Sequence, residues 1–436
     1  MVPLALTFAS GGQEGGDAAA PAKEVKIIGY LLGEAPAGLP AVLLALNEKL
    51  KKDLNVTMEI NYIGWGNFQA TYPLVLAAGE DIDWIFTANW SFYFQEAAKG
   101  AFLALNDSMI RENMPLHSRA LSAAAWNQAR LPDGKIYMVP TPTPDRKVPV
   151  AVIRGDLRRK YGVAPVTKLG DIGSYLEAIK AHEPSMVPMN MESTYDVGQP
   201  FSYLSYANGP YYEDILFTTG SGTGLVWLLG DRTNRLHYIM EPPILQWQKQ
   251  AAATMKAWYD AGYINKDVFA NKVRSKDSFV QGKSAVGFGN SIDMQSIIAG
   301  ATANGWDVEM LTGLDGNSHY RADPYLNNGV ALAANTKNAA LALQALDRII
   351  EDKSYNFLVY FGIEGRNYVV KNNMIALPDG VTADKNTYPP DAAGFWFTNK
   401  DQFPPFATWT PAYVQHRRDI VTKGFLVPTP FVAFSA

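Results

Sequence analysis

Gly282-Lys283-Ser284-Ala285-Val286-Gly287-Phe288-Gly289-Asn290-Ser291-Ile292-Asp293-Met294 is the stretch that decides how the chain reads. A short apolar run, 285–288, ends in Gly289-Asn290-Ser291, after which Ile292, Gln295, Ser296 and Ala299 recur at helical spacing. The pattern spells strand, tight turn, capped helix, with Asn290 or Ser291 placed to accept the free amide hydrogens of the first turn. In an α/β layer such a strand end is where ligands meet backbone amides and short polar side chains. A well-capped loop that holds no ligand reads the same way, so the stretch indicates a layer before it indicates a site.

Outward from it, 436 residues exceed what one hydrophobic core usually organises, and two lobes are expected. An apolar run at 25–30 precedes a helix beginning near Pro40, with Leu39, Leu43, Leu46, Leu50 and Leu54 on one face. Residues 56–63 alternate as a strand, 68–78 follow as a helix ended by Gly79, and 82–86 give a third short strand. Strand, helix, strand, helix, strand with short connections is a parallel α/β lobe with right-handed crossovers.

Two loops on the carboxyl side of those strands carry tryptophan: Gly64-Trp65-Gly66-Asn67 and Thr87-Ala88-Asn89-Trp90-Ser91. A Trp between two glycines fits a core poorly, so Trp65 and Trp90 are candidates to face a ligand; packing over a helix end is the alternative. Trp84, inside the third run, is expected in the core.

The proline-punctuated Pro140-Thr141-Pro142-Thr143-Pro144-Asp145-Arg146-Lys147 marks the first crossing between lobes. Asp145 and Arg146 either point into a cleft there or pair with each other on the surface. From 182 to 220 the pattern weakens, which suits a binding role or short hidden helices, and offers Glu192, Tyr195, Tyr203 and Tyr206 as candidates. Residues 242–259 form the clearest long helix, 306–310 a strand, and 326–334 the return crossing. Trp396 stands in a tail rich in Trp, Phe and Pro, which must pack across the first lobe or both lobes. The expected layout is 25–147 with 301–350 as the first lobe, 148–300 as the second, and 351–436 as a C-terminal segment over the first lobe and the cleft.

Composition narrows the chemistry. A net charge of −4 with scattered Lys and Arg disfavours nucleic acid, and an apolar fraction of 47% describes a well-packed globular chain. There is no cysteine, hence no disulfide and no thiolate. The five histidines, His117, His182, His237, His319 and His416, lack metal-ligand spacing. Gly282-Lys283-Ser284 fails as a phosphate loop because Asp277 stands where the leading glycine belongs, and no Gly-x-Gly-x-x-Gly follows the first strand. Asp315-Gly316-Asn317 lacks the rest of a calcium loop. No cofactor and no metal are therefore expected.

Glu192, Asp293 and Glu364 supply carboxylates from which a glycosidase pair can be imagined, but that chemistry depends on a separation the sequence does not give. The remaining constellation suits binding without chemistry. Sugars offer C–H faces to rings and hydroxyls to Asp, Asn, Glu and Arg. Trp65 and Trp90 from one lobe, Tyr195 and Asn290 from the other, and Trp396 from the tail supply both kinds of contact.

Four longer pieces carry a resemblance: Gly79-Glu80-Asp81-Ile82-Asp83, Trp258-Tyr259-Asp260-Ala261-Gly262-Tyr263-Ile264-Asn265-Lys266-Asp267, Phe279-Val280-Gln281-Gly282-Lys283-Ser284-Ala285-Val286-Gly287 and Phe361-Gly362-Ile363-Glu364-Gly365-Arg366-Asn367-Tyr368. From Val25 onward the chain resembles the extracellular solute-binding proteins of bacterial ABC importers, family 1 type, in the lipoprotein-like group with a distinctive C-terminal domain. The resemblance implies an α/β, two-lobed periplasmic-binding-protein-like fold with a central cleft. It also implies a monomeric, non-enzymatic receptor that hands an oligosaccharide, acidic for some relatives, to a membrane permease; other relatives look like peptide receptors, and a glycoside hydrolase or polysaccharide lyase is the remoter alternative. Trp65, Asn89, Trp90, Asn290 and Asp293 match positions that often face the cleft, and Glu364 and Arg366 lie in the C-terminal motif. Arg146 and Arg366 would favour an acidic sugar if both line the cleft. The apolar run 2–8 and the Gly/Ala/Pro-rich segment to Ala22 read as the tail of an export signal and a tether at 1–24, without the lipidated cysteine such anchors carry near Ser10. The expected place is the outer face of the bacterial membrane, lipid-anchored, or the periplasm.

Overall fold

The computed structural model describes residues 24–78, 81–144, 146–216, 222–231, 233, 235–316, 319–321, 323–422 and 426–427. The expected leader, Gly79-Glu80, Asp145 and Asn317 lie outside the described residues, as does the end from 428 onward.

In chain order, β1 (Val25–Leu32), β2 (Val56–Ile63) and β3 (Trp84–Thr87) alternate with helices Leu39–Leu54 and Phe68–Ala77. After several short helices come β4 (Val139–Pro140) and β5 (Pro149–Arg154). Next are β6 (Tyr212–Leu216), β7 (Gly222–Leu228) and β8 (His237–Tyr238), then β9 (Val286–Asn290), β10 (Val308–Leu311), β11 (Tyr320–Arg321) and β12 (Gly329–Leu332). A hairpin of β13 (Val369–Lys371) and β14 (Met374–Ala376) and the short β15 (Leu426–Val427) complete the set.

The first sheet has the order β2-β1-β3-β12-β4. β1 pairs in parallel with β2 and β3, while β12 runs antiparallel to β3 and β4. The helix Leu39–Leu54 opens on Pro40 and stops at Asn55, held left-handed at φ 53. Its buried face, Leu39, Val42, Leu46 and Leu50, joins Ile27, Leu31, Trp84 and Phe86 in the core. Gly29 sits opposite Trp84 in the ladder, and a Cβ there would lie 2.2 Å from the indole carbons. The bulk of Trp84 therefore dictates the glycine. Just before Trp84, at the amino end of β3, the buried Asp83 accepts hydrogen bonds from the Ile28 amide (2.8 Å), Thr336 Oγ1 (2.6 Å) and Asn338 Nδ2 (3.1 Å). The acidic motif at 79–83 thus serves the scaffold through its last residue.

The second sheet, β10-β5-β9, is antiparallel throughout. β5 is buried on both faces: Ala151 and Ile153 pack with Tyr175, Leu176 and Phe288, whereas Val148, Val150 and Val152 pack with Phe279, Met294 and Ile298. Residues 308–311, expected with 301–350 in the first lobe, pair with 151–154 of β5 instead. Without β10 this strand would present an open edge, and the pairing closes it. The return to the first lobe begins only after residue 311.

The tail packs on both lobes, one of the two arrangements expected, and reaches beyond the first lobe and the cleft. Tyr388, Phe395 and Phe397 pack in the first lobe's core, but the helix Pro411–Thr422 places Ile420 against Phe279, Ile298 and Tyr320 of the second. β15 then pairs in parallel with β11. The C-terminal segment is therefore a third crossing and not only a cover for the first lobe and cleft.

β6, β7 and β8 form a separate antiparallel sheet. At its end His237 faces two carboxylates, with Nε2 2.6 Å from Asp231 Oδ2 and Nδ1 bonded to Glu241. The Asp231 bond, then the Glu241 bond, raise the imidazole pKa, and Asp231 is held down to about 2.

Two outcomes follow from these contacts. Gly29→Ala should destabilise the first lobe by about 1–3 kcal/mol in urea unfolding, because Trp84 has nowhere to move. An NMR titration should place the His237 midpoint above the ordinary value of about 6.5, and Asp231→Asn should lower it. With the folded pKa raised, the stabilisation is fully present below about 6.5 and fades as pH rises through the His237 midpoint. A midpoint at or below 6.5 contradicts the network.

Candidate ligand-binding site

The crossings locate the cleft. Gly329, at the start of β12, pairs with Thr87 at the end of β3 and with Pro140 at the end of β4. The chain thus leaves and re-enters the first lobe at the edge where β1, β2 and β3 end. In the second lobe, Asn290 at the end of β9 pairs with Pro149, the first residue of β5 after the crossing. The carboxyl ends of the first lobe's parallel strands and the Asn290 turn therefore share the interlobe side.

Three tryptophans from distant parts of the chain meet there. Trp65 begins a single 3-10 turn directly after β2, Trp90 follows β3, and Trp396 comes from the tail. Trp65 stacks on Trp396 with centroids 5.8 Å apart and planes at 16°, and lies 6.2 Å from Trp90. Phe86 supports the group from below, edge-on to Trp396 at 5.3 Å and 5.7 Å from Trp90. Two indole nitrogens are spent on the scaffold, Trp90 donating to Asn327 O (2.8 Å) on the return crossing and Trp396 to Asp391 O (3.0 Å). Phe92 is held at φ 59 between Tyr72 and Phe68, a left-handed backbone that a bulky residue adopts only under constraint. That constraint fixes the loop carrying Trp90. Trp65 and Trp90 nevertheless remain 50% and 40% exposed, an unusual surface for two indoles on a supported platform. Asn89, beside them, is half-buried; its amide donates to Leu326 O (2.8 Å), while its side-chain oxygen has no hydrogen-bond partner among the described residues.

In the second lobe, Asn290 Oδ1 accepts from the amides of Ile292 and Asp293, both at 3.0 Å, as its place before the helix Met294–Ala303 predicts. Asp293 is exposed and lies 3.4 Å from Lys276 Nζ. Glu192 is buried and accepts from the amides of Thr194 and Tyr195, each at 2.6 Å. Burial raises its pKa, but those bonds and Arg274 outweigh it and leave the carboxyl lowered. Tyr195 projects with 63% of its surface exposed, its ring 5.0 Å from the Arg274 guanidinium. Arg274 bonds Asp196 Oδ1 at 3.0 Å, and Ser275, next to it, accepts from the Phe288 amide of β9. The Glu192 turn and the Asn290 turn are thereby tied together. Arg274 was not among the sequence candidates, since only the folded chain sets it beside Tyr195. Tyr203 and Tyr206 pack in the second core.

Arg146 makes a bidentate pair with Asp401, Nη1–Oδ1 2.7 Å and Nη2–Oδ2 3.0 Å, fastening the first crossing to the tail; its expected alternative partner, Asp145, lies outside the described residues. Glu364 and Arg366 are exposed on a turn. That turn is locked by buried Asn367, whose Oδ1 accepts from the Ile363 amide (3.0 Å) and whose Nδ2 donates to Asn386 (3.1 Å). Glycines at 362 and 365, with φ 87 and 82, supply its left-handed corners. Among the described residues no three His, Asp or Glu side chains are grouped to hold a metal ion, and no helix is long and apolar enough to cross a membrane.

Against known proteins, the chain matches no family model. It is 25% identical to a carbohydrate ABC transporter substrate-binding protein of Streptococcus pneumoniae over 364 residues, 80% of this chain and 67% of the relative. Among solved structures it is similar to an N-glycan transport solute-binding protein of the same species, with TM-score 0.69 and 19% identity, covering 93% of this chain and 84% of that one. That relative has also been crystallised with Man1GlcNAc and with Man5GlcNAc. An alginate-binding protein solved without calcium is similar at TM-score 0.62 and 17% identity, covering 95% of this chain and 85% of that one. The fold is the two-lobed α/β architecture of periplasmic-binding proteins.

The assignment of roles in the C-terminal motif predicts a clear contrast in denaturant melts. Asn367→Ala should cost about 1–3 kcal/mol by stranding buried partners. Glu364→Ala and Arg366→Ala should each stay within about 0.5 kcal/mol of the parent.

Proposed function

We propose that this chain is the sugar-capturing receptor of an ABC importer, holding an oligosaccharide between its lobes and presenting it to a membrane permease. The observation that carries the reading is the supported, half-exposed cluster of Trp65, Trp90 and Trp396 at the interlobe edge. Indole faces match the apolar C–H faces of pyranose rings, and large rigid rings give contact area at little entropic cost. Asn89, Tyr195 and Asn290 offer the polar atoms that orient hydroxyls from both lobes. The carbohydrate name of the pneumococcal relative and the glycans crystallised with its structural counterpart support the same ligand class.

Three crossings allow the lobes to close as a hinge, and closure around a sugar excludes water and strengthens the polar contacts. A ligand that bridges both lobes favours the closed form by its differential affinity, and the permease then reads that form. The role is non-enzymatic. We place the protein within the lipoprotein-like group of family 1 solute-binding proteins, working as a monomer on the outer face of the bacterial membrane, lipid-anchored, or in the periplasm.

Calorimetric titration against Man5GlcNAc, alginate oligomers and mixed short peptides, with mass spectrometry of each mixture, tests this reading. It predicts saturable binding of a sugar at micromolar Kd or tighter, unchanged sugar mass, and at least tenfold weaker binding by Trp65→Ala. Binding of peptides alone, or conversion of a sugar, contradicts it.

A further inference from the structure

We infer that Glu34 is the polar reader of the sugar unit stacked on Trp65, and that it restricts this unit to a neutral, hydroxyl-rich sugar. The inference rests on the receptor reading and sharpens it from sugar in general to uncharged sugar.

Glu34 follows β1 directly, at the interlobe edge, and Gly33 extends the ladder by donating to Ile63 O (2.9 Å). The segments 33–34 and 64–65 consequently press together. A Cβ on Gly64 would lie 2.7 Å from Glu34 Oε1, and one on Gly33 would lie 3.1 Å from Trp65 Nε1. Gly64 has φ −65 and ψ 147, a backbone any residue adopts, so its conformation does not require glycine. The Glu34 carboxylate lies against this glycine, beside an exposed indole.

Glu34 is exposed and has neither a hydrogen bond nor an ion pair among the described residues. The Trp65 N–H is likewise without an acceptor there, unlike those of Trp90 and Trp396. An acceptor pair and a donor, side by side at the rim of a ring platform, match vicinal hydroxyls, each of which donates and accepts. Three cations of the crossing and the second lobe are engaged by carboxylates of their own: Arg146 by Asp401, Arg274 by Asp196, Lys276 by Asp293. A uronate on Trp65 would meet the Glu34 charge.

The test titrates the full chain and its Glu34→Gln and Glu34→Lys variants with a neutral panel (Man5GlcNAc, maltotetraose, a fructo-oligosaccharide) and with alginate oligomers. Melting curves check that both exposed-site variants stay folded. The expected result is that the parent binds a neutral sugar and prefers it at least tenfold over alginate. Glu34→Gln should weaken that binding at least fivefold, and Glu34→Lys should narrow or reverse the preference. A parent that takes alginate as well as the neutral sugar, or a Glu34→Gln variant with unchanged neutral affinity, overturns the inference and leaves the receptor reading standing. A parent that binds no sugar of either kind overturns both.

Discussion

Gly329 carries the constraint on which the rest of the architecture depends. It threads β12 between β3 and β4, and a Cβ at this position would lie 2.2 Å from Met138 Cε and 2.6 Å from Val139 O. Only a glycine lets the returning chain lie this close to the departing one. Because the first two of the three crossings pass this point, the lobes are hinged at the carboxyl edge of the first sheet. Every ligand candidate that matters is placed relative to that edge. Trp90 is even bonded to it, through Asn327 on the return crossing.

The candidate site assembled there presents rings, with its pairing arginines turned to carboxylates of the protein itself. Its arginines are neutralised inside the protein, Arg146 as a clamp between crossing and tail and Arg274 as a bracket under Tyr195. Such partly exposed pairs contribute little to stability, so their value lies in geometry. In the proposed receptor the rings supply the contact area for a sugar. Stacked indoles on a bed of Phe86 and Phe68 are pre-organised, and binding a flat sugar face to them requires little rearrangement.

The first lobe was largely legible because its signals are local. Period-2 alternation in 56–63, the leucine face of the first helix and the tryptophan loops at strand ends can all be read from neighbours in the chain. The Asn290 cap was legible for the same reason. What escaped was non-local. β10 carries no mark of which sheet it will join, and its edge pairing with β5 placed it in the second lobe. Ile420 reads as an ordinary helix residue until Phe279 and Ile298 surround it. Trp396 was recognised as a ring but not as the partner of Trp65, more than three hundred residues earlier. Arg146 sits in a plausible cleft segment, yet Asp401 reaches it from the tail. Glu34 looks like any exposed acid until the fold sets its carboxylate against Gly64, beside Trp65.

The most direct measurement of the central claim, that the tryptophan edge is where the ligand sits, is hydrogen–deuterium exchange of the intact protein with and without saturating Man5GlcNAc. The account predicts slowed exchange concentrated in peptides covering 63–68, 88–92 and 391–397, with a second group at 192–196 and 288–293. Protection confined to other surfaces, such as the Asp83 end of the first sheet, with the tryptophan segments unchanged, would contradict it.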